Sequence, residues 1–186
     1  HLLSISNNKI KVKLLDKNQG ISGATNEAAS LASGDYILLM DNDDELAHSA
    51  LHEFYQKIKK DGSEILYSDM DIIDAKGRTR DPLCKPDWSP DLFLSQMYLG
   101  HLVGFKKSLF DEVGGFRSEF NGSQDYDLLL RMTEKTDKIG HVAEILYHWR
   151  DLPSSTAANP ESKPYAQIAG LNAIQEHLNR VYGSGK

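Results

Sequence analysis

Cysteine is nearly absent. Cys84 is the only one in 186 residues, so no internal disulfide can form and a reducing compartment, the cytoplasm, is expected. Long apolar runs are also missing. Residues 36–40 form one of the longest, far short of the roughly 20 residues that cross a bilayer, and the N-terminus lacks the charged-then-apolar plan of a signal peptide. Any association with the inner face of a cell membrane is therefore expected to be peripheral, or to use a segment outside this sequence. Positive charge is scarce, with 21 lysines and arginines against 27 aspartates and glutamates and a net charge of −6. That balance argues against nucleic acid as a partner, because phosphate backbones are gripped by basic surfaces. A phosphorylated ligand would need a cation beside it. Low-complexity tracts and fixed-period repeats are lacking too. The length fits one domain over residues 1–186.

What is present alternates between strand and helix patterns. Residues 10–14 alternate apolar and basic side chains, then break at Asp16-Lys17-Asn18-Gln19-Gly20. Ile21, Ala24, Ala28 and Leu31 follow at helical spacing, with Gly34 placed to end the helix in a left-handed conformation. Residues 36–40 read as a strand covered on both faces. Leu46, Ala50, Leu51, Phe54 and Ile58 mark a helix that stops at Asp61-Gly62, and another strand begins at Ile65. Residues 69–90, rich in acids and prolines, read as a long irregular connection. A strand over 101–105, a helix over 107–113 closed by Gly114-Gly115, a helix over 124–133 and one or two strands over 139–149 follow. The final helix carries Tyr165, Ile168, Leu171, Ile174, Leu178 and Val181 on one face. Alternating strands and helices predict an α/β fold with a mostly parallel sheet.

Four groups of residues offer chemistry. Asp41-Asn42-Asp43 ends an apolar strand, which puts two carboxylates in the crevice where open α/β sheets bind ligands. Oxygen ligands of this kind suit Mn²⁺ or Mg²⁺ completed by phosphate oxygens, although Asp43, Asp44 and Glu45 are also placed to cap the next helix. A calcium loop is excluded, since Leu46 and His52 stand where its glycine and closing glutamate belong. Asp69, Asp71 and Asp74, after the strand at 65–67, compete for the metal role but read rather as turn-forming acids, with Ile72-Ile73 suggesting a partly buried strand and contact to an acceptor left open. Asp125 and Asp127 lie in the first turn of a helix, where the dipole favours them and a general base can be presented. Asp127 is also spaced to pair with Arg131. Tyr147-His148-Trp149-Arg150, followed by Ser154-Ser155-Thr156-Ala157, sets an imidazole and a guanidinium beside a polar loop. Neutral imidazole suits manganese and arginine grips phosphate, but a lone histidine is also a common packing residue.

In this order, the stretches resemble the family 2 glycosyltransferases, especially those that build bacterial surface polysaccharides such as O-antigen and rhamnose-containing glycans. Residues 18–26 resemble the family's helix start, 39–46 its Asp-x-Asp segment, and Gly114-Gly115-Phe116 with Gln124-Asp125-Tyr126-Asp127 its acceptor side. Lys85-Pro86-Asp87-Trp88-Ser89-Pro90-Asp91 with Gly100-His101 resembles a subgroup signature, and 147–157 the family's tail. The resemblance implies a GT-A fold, Rossmann-like, with helices flanking the sheet. It implies that Asp41 and Asp43 contact the donor's ribose, diphosphate and metal (Mn²⁺ or Mg²⁺), that Asp125 is the catalytic base, and that His148 is a further metal ligand or diphosphate contact. Arg150 then lies on the donor side. The implied reaction is inverting transfer from a nucleotide-sugar donor to a glycan or lipid-linked glycan acceptor.

Two departures stand out. The sequence begins after the family's opening base-binding strand and loop, an expected shortfall of roughly 50 residues on domain-size grounds. Thr25 occupies the place where the family usually has an arginine before Asn26. Two rival readings are a nucleotidyltransferase, which would show a Gly-rich, lysine-containing phosphate loop near its start where none is visible, and a non-catalytic remnant retained for binding.

Overall fold

The computed structural model describes residues 9–151 and 164–183. The elements in chain order are α1 (Gly20–Leu31), β1 (Tyr36–Leu39), β2 (Glu45–Leu46), α2 (Ala50–Asp61), β3 (Ile65–Ile73), β4 (Thr79–Leu83), α3 (Pro90–Ser95), β5 (Val103–Lys106), α4 (Lys107–Glu112), α5 (Gln124–Thr133), β6 (Ile139–Arg150) and α6 (Pro164–Tyr182). Most helices fall where the apolar spacing puts them. Gly62, in the left-handed region at φ +69°, stops α2 by returning its N–H to the Ile58 carbonyl.

The strands form one α/β sheet in the order β1-β5-β3-β6-β2, with β4 paired to the far half of β3. β3 is the spine. Its first half pairs with β5, its second half with β4, and β6 runs parallel along its other side. Ile65 and Tyr67 point into the larger core, shared with α1, α3, α4, α5 and α6, while Leu66 points into the smaller one beneath α2. The doubly covered strand is thus β3. β1 has one neighbour, β5, and its side chains are all half-buried.

Several expectations are corrected. The sheet is mixed: among the described residues β3 with β6 is the one parallel pairing, and β1, β2, β4 and β5 all pair antiparallel. Residues 10–14 alternate without joining a ladder, for alternation marks a buried face and does not supply a hydrogen-bonding partner. Gly34 is not the helix stop; α1 ends at Ala32 in extended conformation. Residues 69–73 continue β3, and the chain returns through a tight turn into β4. Asp74 alone makes that turn, accepting from the Lys76 and Arg78 amides at 2.8 and 3.0 Å. In α6 the buried face is carried by Ala169 and Ala173, leaving Tyr165, Ile168, Leu171 and Val181 exposed. Residues 154–157 lie outside the described residues.

Residues 113–117, α5 and α6 are locked together by a buried carboxylate. Asp127 is fully buried and accepts from Arg117 and from Arg131, whose other N–H groups reach the Val113 and Gly115 carbonyls at 2.6 and 2.7 Å. Arg117 also bonds Glu176 on α6 at 2.9 Å. Burial alone would raise the Asp127 pKa, but the two arginines outweigh it and hold the group below the usual carboxylate range. A depressed folded-state value stabilises the fold above the unfolded pKa of about 3.9, and that stability is lost as pH falls toward the folded value. Asp127→Asn is therefore expected to cost about 3–5 kcal/mol in urea denaturation at neutral pH, the scale of a broken buried pair. It should also flatten the stability loss below about pH 4. A variant as stable as the parent would contradict this role.

Candidate active site

Residues 41–45 leave β1 and meet the end of β6. Asp44, 6% exposed, turns inward, where its carboxylate accepts from the Tyr147 hydroxyl and, at 2.8 Å, from the Arg150 amide. The same Tyr147 oxygen accepts from the Asp41 amide at 3.1 Å. Arg150 closes the turn from outside, donating through Nε to the Asp43 carbonyl at 2.6 Å and pairing with the Glu45 carboxylate. Glu45 is in register with His148 and Leu46 with Tyr147 across β2 and β6. These acids do not cap α2, which begins at Ala50 after Ser49. Asp44 and Glu45 are thus spent on holding the turn, and Asp41 and Asp43 are left facing solvent.

Asp41 faces His101. The imidazole Nε2 lies 3.7 Å from Asp41 Oδ2, and the ring stacks on Tyr147 with centroids 4.9 Å apart. Asp125, in the first turn of α5, lies within electrostatic range of His101 and Asp41, with its Oδ1 accepting from the Tyr126 amide at 2.8 Å. Burial raises the Asp125 pKa above the ordinary carboxylate value, the Tyr126 amide and His101 oppose that, and the negative charge of Asp41 adds to it. The three side chains share one electrostatic environment, although 60 and 24 positions separate them in sequence. His101 lies outside the four groups of residues that offer chemistry in the sequence; its one signal there is its place in the Gly100-His101 signature.

The rest of that signature explains how His101 is held. Lys85, 8% exposed, donates through Nζ to the carbonyls of Ser68, Leu99 and His101, each at 2.5 Å. Burial pulls its ammonium down to about 8, with the charge of Asp69 opposing. The neighbouring Pro86 carbonyl accepts from Tyr67, and the Ser89 amide donates to Tyr98. On the other side, Asn26 of α1 forms a pair of hydrogen bonds with the Phe116 backbone at 2.8 and 2.9 Å. Ser22 bonds Asn121 at 2.6 Å, just before the loop that presents Asp125. Thr25 turns its hydroxyl back onto the Ile21 carbonyl at 2.8 Å.

His148 is paired with Asp71. Its Nδ1 lies 2.6 Å from Asp71 Oδ1, and its side chain is about one-fifth exposed, at 22%. Asp69 is buried as well, accepting from the Lys85 amide at 2.9 Å and facing His141 at 2.9 Å. Among the described residues no three metal-ligating side chains are gathered into a preformed cluster. Asp41 and Asp43 nevertheless fit a hard divalent cation of the kind bound by one or two carboxylates and completed by substrate phosphates. Asp43 suits it best, since its carboxylate has no hydrogen-bond or ion-pair partner among the described residues. A cavity of about 970 Å³, lined by Trp88, Glu134, Lys138 and Arg180 among others, lies at the opposite end of α5 and contains none of these residues.

Comparison with known proteins bears on the family and the fold. The profile described as glycosyl transferase family 2 matches residues 2–116, more than half of the chain. An uncharacterized protein, y4gI, of Sinorhizobium fredii is 42% identical over 94% of this chain and 20% of its own length. The O-antigen biosynthesis protein RfbC of Myxococcus xanthus is 36% identical over 92% of this chain and 14% of its own length. The chain thus spans a fifth or less of these relatives. Among solved structures, residues 1–349 of S. aureus TarS in complex with UDP-GlcNAc superpose with a TM-score of 0.66 at 18% identity, covering 92% of this chain and 56% of that one. The shared arrangement is the GT-A fold, and by the match of its sequence over more than half its length the chain belongs to glycosyl transferase family 2.

Proposed function

We propose that this chain is the catalytic GT-A unit of a longer enzyme that transfers a sugar, with inversion, from a nucleoside-diphosphate sugar to a glycan acceptor in cell-surface polysaccharide synthesis. The observation that carries the reading is the convergence of Asp41 and Asp125 on His101, with a second exposed carboxylate, Asp43, on the same turn. The donor class is supported by TarS, solved with UDP-GlcNAc, and the polysaccharide setting by the name of the O-antigen relative. No helix among the described residues is long and apolar enough to cross a membrane, and the unit is proposed to work on the cytoplasmic side.

In this reading Asp41 and Asp43 take the diphosphate end of the donor and would hold a divalent cation there. When bound, the cation supplies Lewis-acid charge that offsets the charge developing on the leaving diphosphate. Asp125 serves the acceptor. Its carboxylate accepts the proton of an acceptor hydroxyl while the hydroxyl oxygen bonds to the anomeric carbon. The bond from that carbon to the diphosphate oxygen breaks on the opposite face, and the nucleoside diphosphate leaves with the electron pair. A base with a raised pKa is the stronger proton acceptor, and burial provides that here. Arg150 and Tyr147 orient the donor-side turn, and Lys85 fixes the backbone of His101.

Asp125→Asn in the full-length enzyme is expected to lower turnover by about 10²-fold or more, with little change in donor KM. In the parent enzyme, the acid limb of kcat/KM should lie above the ordinary carboxylate value of about 4, because the raised base must lose its proton to work. Retained turnover in the variant would remove Asp125 from the mechanism. Separately, Asp43→Asn should abolish most of the manganese-dependent rate while leaving the circular dichroism spectrum and melting temperature unchanged. Activity with the same metal dependence as the parent would dismiss Asp43 as a ligand.

A further inference from the structure

Asp71 and His148 meet across the parallel seam of the sheet, in register on β3 and β6. Asp71 is 6% exposed, and its Oδ1 lies 2.6 Å from His148 Nδ1. An ionised carboxylate can only accept, so this contact requires the proton on Nδ1, and a neutral ring held that way leaves Nε2 with a free lone pair. The seam does not need this bond for its own cohesion, since β3 and β6 are paired along the length of β3. What the bond sets is the tautomer and orientation of one ring.

The position of that ring gives the tautomer a purpose. On its other side β6 pairs with β2, where His148 is in register with Glu45, two residues beyond Asp43. Arg150, two residues along β6 and so on the same face as His148, grips the Asp43 carbonyl and Glu45. His148 therefore stands beside the turn that presents Asp41 and Asp43.

We propose that Asp71 is a positioning residue that holds His148 as the Nδ1–H tautomer, so that Nε2 is offered as an electron-pair donor to a divalent cation on the Asp41 and Asp43 turn. This rests on the reading that the turn holds a cation. Ligating histidines commonly donate their second ring N–H to a carboxylate, and loss of that partner weakens metal affinity by about 10–100-fold.

Two measurements test it. Long-range ¹H–¹⁵N correlation spectra of the metal-free protein, labelled at histidine, should show His148 protonated at Nδ1 and bare at Nε2; a ring protonated at Nε2 alone overturns the proposal. Mn²⁺ binding in the presence of UDP, followed by electron paramagnetic resonance of the free ion, is then compared among the parent, Asp43→Asn, His148→Ala, Asp71→Asn and the double variant of Asp71 and His148. His148→Ala and Asp71→Asn should each weaken Mn²⁺ by about tenfold or more, and the double variant should be no weaker than His148→Ala. If Asp43→Asn weakens binding while Asp71→Asn or His148→Ala binds as the parent does, the inference fails and the cation reading stands. If Asp43→Asn also binds like the parent, the cation reading fails with it. Should Asp71→Asn not fold, the tautomer in the parent protein decides.

Discussion

A buried carboxylate that serves no chemistry, Asp44, underlies the rest of the site. It is held by the Tyr147 hydroxyl and the Arg150 amide, and both partners belong to the last four residues of β6. Burying a carboxylate is costly unless it is fully hydrogen-bonded, so this pairing admits few alternative positions for the turn. Burial, with Asp44 adding to it, pushes the Tyr147 phenol well above its ordinary pKa, and the hydroxyl stays a donor. Because the same oxygen also receives the Asp41 amide, the start and the middle of the turn are fixed by one side chain.

From that anchor the two halves of the site can be followed outward. In the proposed reading the donor half is the turn itself, clamped by Arg150. The acceptor half is the start of α5, whose position depends on the Asp127–Arg117–Arg131 network and on the ties from Ser22 and Asn26 in α1. His101 joins them by stacking on Tyr147 and facing Asp41, while Lys85 fastens its backbone to β3. Within the 85–91 signature Lys85 is thus scaffolding that fixes the backbone at residue 101.

Local pattern made some of this legible and long-range pairing hid the rest. The helix at 124–133 showed itself through an apolar run after a polar loop, and the Asp127–Arg131 pair follows from i, i+4 spacing. Asp41 and Asp43 were visible as acids ending an apolar strand. Asp44 was not separable from them, because its partner Tyr147 is 103 residues away. Asp69 and Asp71 read as turn acids, with only Ile72-Ile73 pointing to a strand, because their partners His141 and His148 lie 72 and 77 residues away. On α6 the spacing of large apolar residues marks a face of which Ile174 packs on the core, while the buried positions are the small Ala169 and Ala173, which let the helix come close. The parallel sheet was inferred from alternating elements, a pattern that does not encode strand direction.

The central claim is that the nucleotide diphosphate lies against the 41–45 turn, with Asp125 facing its sugar from across His101. A crystal structure with UDP and Mn²⁺ tests it most directly. The account predicts metal density at Asp43 or Asp41, the diphosphate beside it, and the Asp125 carboxylate open to the side from which an acceptor would come. Nucleotide bound in the cavity at the far end of α5, beside Trp88 and Arg180, with the 41–45 turn bare, would contradict it.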